Sequence, residues 1–80
     1  MKIPRLDRIT FDPHIMHGQA CIRGMRITVS LILNLVANGM TREEIIKAYP
    51  YVEPEDIAQA LRYAAWLAEE RLYDRVEERQ

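Results

Sequence analysis

Eighty residues with 49% hydrophobic and 29% charged side chains describe one small folded domain, because chains use about 100–200 residues per domain and this composition is too apolar for a disordered segment. Eleven Lys and Arg against twelve Asp and Glu give a net charge of −1 and a pI near 6.1, which speaks against a strongly basic nucleic-acid binder, whose pI would exceed roughly 9. No apolar run approaches the roughly 20 residues of a membrane span, and Met1-Lys2-Ile3-Pro4-Arg5 is not followed by a signal-peptide stretch. A domain this small buries only about 60% of the surface its unfolded chain exposes. The single cysteine, Cys21, excludes an internal disulfide and fits a reducing cytoplasm, which leaves metal or oligomerisation as aids to stability.

In chain order, Ile9-Thr10-Phe11-Asp12 alternates apolar and polar residues and stops at Pro13, the pattern of a short half-buried strand. Ala20-Cys21-Ile22-Arg23 and Arg26-Ile27-Thr28 flank Gly24-Met25, which predicts a hairpin with the glycine supplying a positive φ. Residues 1–28 are therefore expected to form a β arm and hairpin. A first helix is predicted over residues 29–38, capped by Thr28 or Ser30 and stopped by Gly39. Leu31, Ile32, Leu33, Leu35 and Val36 leave it almost no polar face, so it must be covered on most sides. Thr41 with Glu44 forms a capping box for a second helix, which ends at Tyr49 because Pro50 disfavours helical geometry in the residue before it. A third helix starts at Pro54, with Glu53, Glu55 and Asp56 favourably placed at its positive end, and meets no breaker before Gln80.

The long helix has two faces. At its period, Ile57, Leu61, Ala64, Ala65, Ala68 and Leu72 form one stripe predicted to pack on the first helix. Tyr63, Trp66 and Tyr73 fall about 160° to 240° away from Ile57, and exposed Tyr and Trp of this kind are enriched at interfaces. Beyond Leu72 the core stripe is taken by Arg75 and Arg79, so the last two turns leave the core, either frayed or lying against another molecule.

Helix, glycine turn, short helix, second turn and third helix is the arrangement of helix-turn-helix domains, although any three-helix bundle also needs caps and a glycine. The third helix would present Glu55 and Asp56 to phosphates, and only Gln59 and Arg62 suit base edges. Split by halves, the charge is +3 over residues 1–40 and −4 over residues 41–80, a basic arm and an acidic helical half suited to two different partners, or an ordinary solvated surface. His14, His17 and Cys21 do not match a zinc set and are read as two loop histidines and a buried thiol. No nucleophile with an activating base and no glycine-rich phosphate loop is present. No enzymatic activity, cofactor or metal is expected.

Ile9-Thr10-Phe11-Asp12-Pro13, the stretch Gly18-Gln19-Ala20-Cys21-Ile22-Arg23-Gly24-Met25-Arg26-Ile27-Thr28-Val29, then Gly39-Met40-Thr41 with Glu43-Glu44-Ile45 and Tyr49-Pro50, and finally Pro54-Glu55-Asp56-Ile57 closely resemble the small bacterial family known as domain of unknown function 433. The resemblance covers about residues 8–68, and its most specific part is Ile22-Arg23-Gly24 followed by Arg26-Ile27. Met25 stands where the family commonly has Thr, Thr28 where it often has Pro, and Glu53 where Thr or Ser would cap the third helix. The resemblance implies a homeodomain-like helix-turn-helix core and a VapB-type antitoxin, paired with a toxin of PIN-like nuclease fold and repressing its own operon.

Together these readings predict a mainly α fold in one domain, with a β arm and hairpin (1–28), a three-helix core (29–68) and a helical tail (69–80). A homodimer would bury apolar surface of the first helix or the Tyr63, Trp66 and Tyr73 face. Arg8, Arg23, Arg26, Arg42, Gln59 and Arg62 are the candidate DNA contacts. The tail, with Leu72, Tyr73 and Val76 among charges, would dock on the PIN-like toxin as an amphipathic helix. The alternative is a homodimeric protein-interaction module that does not bind DNA.

Overall fold

The computed structural model describes residues 6–78, with side chains as far as Glu69. Strand β1 (Ile9–Phe11) is followed by a turn at Met16–Gly18 and strand β2 (Ala20–Ile22), and then by helices α1 (Val29–Ala37), α2 (Arg42–Ala48) and α3 (Pro54–Glu78). The fold is mainly helical, with a small antiparallel sheet at its N-terminal end. No described helix is long and apolar enough to cross a membrane. Lys2 and Arg5 of the predicted arm, and Arg79 at the far end, lie outside the described residues, as do the side chains of Leu72, Tyr73, Arg75 and Val76.

The helix ends follow from local hydrogen bonds. Thr28 Oγ1 accepts the Leu31 N–H at 3.0 Å and starts α1. At the other end Gly39, with φ of 90°, donates to the Val36 carbonyl at 3.0 Å while Met40 donates to Leu35 at 3.1 Å, the paired bonds of a Schellman stop. Thr41 and Glu44 make both halves of the capping box: Glu44 N–H to Thr41 Oγ1 at 3.1 Å, and Thr41 N–H to Glu44 Oε1 at 2.8 Å. Helix α2 ends at Ala48 with Tyr49 as its cap residue. At the start of α3, Asp56 reaches back to the Glu53 N–H at 2.8 Å, so the third residue of the helix supplies the half of the box that a Glu at the cap position does not.

The sheet differs from the expected hairpin. The partner of β2 is β1, in the register Ile9 with Ile22, Thr10 with Cys21 and Phe11 with Ala20. The stretch around Ile27 contributes one isolated bridge, Cys21 with Thr28. The turn between them centres on Arg23 and Gly24, with φ of 47° and 71°, and is closed by the Met25 N–H on the Ile22 carbonyl at 2.8 Å. Two positive φ values mark a type I′ turn, but the chain then bends at Met25 and Arg26. That bend breaks the ladder before α1 begins. Thr10 Oγ1 accepts the Gly24 N–H at 2.8 Å and ties the turn to β1.

The core is Ile22 from β2, Val29 and Ile32 from α1, Ile45 from α2, Val52 from the second connection, and Ile57 and Ala60 from α3, each at most 2% exposed. Here the predicted face of α3 needs correcting. Leu61, Ala65 and Ala68 are exposed, whereas Asp56, Ile57, Gln59 and Ala60 are buried and Tyr63 packs on the core cluster. The helix is turned by about one residue position, close to 100°, from the expected orientation. Alanines bury little area and so exert little pull on the helix. Asp56 and Gln59, assigned to water by their polarity, go inside because partners elsewhere in the chain satisfy them.

Candidate functional site

Asp56 is the most constrained polar residue described. It is fully buried at the third position of α3, where a carboxylate bonds the cap N–H and lies at the positive end of the helix. Two arginines from the sheet end of the molecule converge on it. Arg8, just before β1, donates from Nη1 to Asp56 Oδ1 at 3.0 Å and to Glu53 Oε1 at 2.6 Å. Arg23 donates from Nε to Oδ1 and Oδ2 at 3.2 and 3.3 Å and from Nη2 to Oδ2 at 3.1 Å. The same Nη2 reaches the Tyr51 carbonyl at 2.5 Å. Burial alone would push the Asp56 carboxyl up, but Arg23, the Glu53 N–H and Arg8 outweigh it and hold the group below its ordinary value. Arg8 is shifted upward by Glu53 and then Asp56, and Arg23 by Asp56.

Gln59, one turn further along and 4% exposed, extends this seam. Its Oε1 accepts the Arg8 backbone N–H at 2.9 Å, and its Nε2 donates to Asp7 at 2.8 Å and to Glu55 at 3.1 Å. Arg62 Nη1 reaches the same Glu55 oxygen at 3.1 Å. The Gln59 amide and then the Arg62 guanidinium hold the Glu55 carboxyl below its usual range. The cluster ties the segment before β1, the type I′ turn and the start of α3 into one unit. It has no nucleophile, and its ionised groups are matched in pairs, so its chemistry is that of a structural clasp.

The six candidate DNA residues are therefore not equivalent. Arg8 and Arg23 are engaged with Asp56, Gln59 is buried on the Arg8 backbone, and Arg62 pairs with Glu55. Arg26 and Arg42 are exposed and form no ion pair among the described residues. The clasp was missed in the sequence because Arg23 and Asp56 were read one at a time. The available signal was that both stand in the segments carrying the family resemblance, Ile22-Arg23-Gly24 and Pro54-Glu55-Asp56-Ile57.

A second feature lies between β2, α1 and α3. Tyr63, expected to face away from the core, instead packs edge-on against Phe11, with ring centres 6.0 Å apart and an interplanar angle of 62°. Trp66 continues the row at 6.3 Å from Tyr63. Beside these rings Ala20, Val29, Ser30, Leu33 and Leu67 help line an open groove of about 350 Å³. Phe11 is 60% exposed and Leu67 36%. The Trp66 Nε1–H is buried without an acceptor among the described residues, a position that costs about 1–3 kcal/mol. His14 and His17 are exposed in the β1–β2 connection, Cys21 is buried and free, and no group of three or more His, Cys, Asp or Glu among the described residues could hold a metal ion.

Residues 9–64 match the family model described as Protein of unknown function (DUF433). The chain belongs to this family. A solved crystal structure of a family member from Anabaena variabilis ATCC 29413 superimposes with a TM-score of 0.72 at 30% identity, over 80% of this chain and 63% of that one. This chain thus accounts for less than two thirds of that protein's length. No curated protein matches the sequence. The family match spans β1 to the first turns of α3 and so contains Arg23, Asp56 and Gln59 of the clasp, while Arg8 lies one residue outside it.

Proposed function

We propose that this family member is a dimeric antitoxin of a type II toxin–antitoxin pair, which neutralises a PIN-like nuclease by wrapping it with the C-terminal part of α3. The observation that carries the reading is how far α3 outruns the core. Its last fully buried residue among the described side chains is Ala60, yet the helix continues to Glu78, about 27 Å further at 1.5 Å per residue. That stretch includes Leu72, Tyr73 and Val76 among charged residues, the composition of an amphipathic helix that fills a partner's groove. The clasp supports the same reading, because it anchors the first turn of α3 and so gives the projecting end a rigid base.

Operator binding is the second part of the proposal, favoured by the order of α1, α2 and α3, which suits a homeodomain-like helix-turn-helix, and by the free guanidiniums of Arg26 and Arg42. With Arg8, Arg23, Gln59 and Arg62 engaged internally, DNA contact falls to Arg26 and Arg42 on each of two copies. Co-expression with the product of the adjacent reading frame tests the first part. The full chain is expected to co-purify with that product and suppress its nuclease activity, and a chain ending at Glu69 to fold without doing either. Gel shifts on the upstream region test the second. Arg26→Ala and Arg42→Ala should each weaken binding across sequences and reduce the salt slope by about 1, and absence of retention at low salt with the partner present leaves a protein-binding module that does not touch DNA.

A further inference from the structure

We infer that the groove framed by Leu33 of α1 and by Tyr63 and Leu67 of α3, with Phe11 at its rim, is the surface on which a second copy of this chain docks. This deepens the dimer in the proposed function and rests on that part alone. Several independent observations single out a second copy as the occupant.

The first is area. The chain exposes 6117 Å², against about 5,000 Å² for a compact monomer of its mass. The excess is of the size that a standard interface removes from one partner, about 800 Å². The second is charge. Leu33, Tyr63, Leu67, Phe11 and Ser30 carry no ionised group, although 29% of the chain is charged. A two-fold interface sets a patch against itself, so a charged patch would oppose like with like, and a neutral one incurs no such repulsion. The same neutrality gives a phosphate backbone or a strongly charged peptide nothing complementary to bind. The third is composition. Aromatic residues are enriched at interface centres and charges depleted there, and the Phe11–Tyr63–Trp66 row has that character.

The clasp and the groove use different elements of the sequence. Arg8, Arg23, Asp56 and Gln59 line neither the groove nor the aromatic row, so dimerisation through the groove leaves the clasp intact.

Sedimentation velocity of the full chain over a concentration series, with Trp66 fluorescence recorded in parallel, tests this, because Trp66 is the sole tryptophan. The wild type should sediment as a dimer at high concentration, with Trp66 emission moving to the blue as it associates. Leu67→Glu should weaken association by about 100-fold or more, since two-fold symmetry brings the new charges face to face. Phe11→Glu, on a side chain 60% exposed and so tolerated by the fold, should do the same. Leu61→Glu, on a residue 41% exposed that does not line the groove, should leave the dimer unchanged. A wild type that stays monomeric throughout, or a dimer indifferent to both groove variants, overturns the inference. A monomer that still captures the adjacent-frame product would refute the dimer and leave toxin binding standing, whereas a groove dimer without capture would refute toxin binding and leave the groove.

Discussion

Replacing Asp56 with alanine should be the most damaging single change on the polar side of the molecule. The carboxylate caps the Glu53 N–H at 2.8 Å, and loss of such a cap costs about 1 kcal/mol. It also receives both guanidiniums. Removing one member of a fully buried ion pair costs about 3–5 kcal/mol, but here the arginine side chains are 29% and 36% exposed and can turn toward water, which lowers that part to about 2 kcal/mol. The expected total is about 3 kcal/mol, against the roughly 4–12 kcal/mol that holds an 80-residue domain together. At about 4–8 °C per kcal/mol for a domain of this size, the melting temperature should fall by about 12–24 °C. Asp56→Asn keeps an acceptor for the cap and loses only the charge, so it should fall between the two. The pH dependence gives a second measurement. Asp56 titrates lower in the folded state than in the unfolded chain, so its contribution is fully present above the ordinary carboxylate value of about 3.9 and is lost as pH falls through the folded value. Urea unfolding of wild type and Asp56→Asn should therefore differ at neutral pH and converge in acid. A loss below about 1 kcal/mol for Asp56→Ala, or a difference that does not shrink in acid, would show that the clasp is a surface ornament and refute the reasoning.

Gly24→Ala should cost about 1–2 kcal/mol through the backbone alone, because φ is +71° there and a Cβ would meet no atom within 4 Å. Thermal melts would check it, and an unchanged melting temperature would mean the turn relaxes. Thr41→Ala removes the side-chain half of the α2 capping box and should cost about 1 kcal/mol, read as a lower urea midpoint with unchanged slope.

Much of the helical framework could be read from the chain alone because each signal acts within a few residues. Thr28 bonds Leu31, Thr41 and Glu44 bond each other, and Gly39 closes α1 with the two carbonyls just before it. Those contacts form whatever the rest of the chain does, so the ends of α1 and α2 fall within a residue of expectation and α3 starts at Pro54 as expected. The family resemblance was legible in the same way.

What only the tertiary structure decided is which residues are inside and what the arginines are for. Arg8 and Asp56 are separated by 48 positions in sequence, and Arg23 and Asp56 by 33. Polarity assigns such groups to water until a partner is known, since a buried charge is tolerable only when paired. Once Arg8 and Arg23 neutralise Asp56, and the Arg8 backbone and Asp7 satisfy Gln59, α3 turns its polar residues inward. Tyr63 and Trp66 then swing toward Phe11 and the groove. The near-zero net charge was visible from the first; that much of it is matched in pairs inside one clasp, leaving Arg26 and Arg42 free, depended on pairings between residues far apart in the chain.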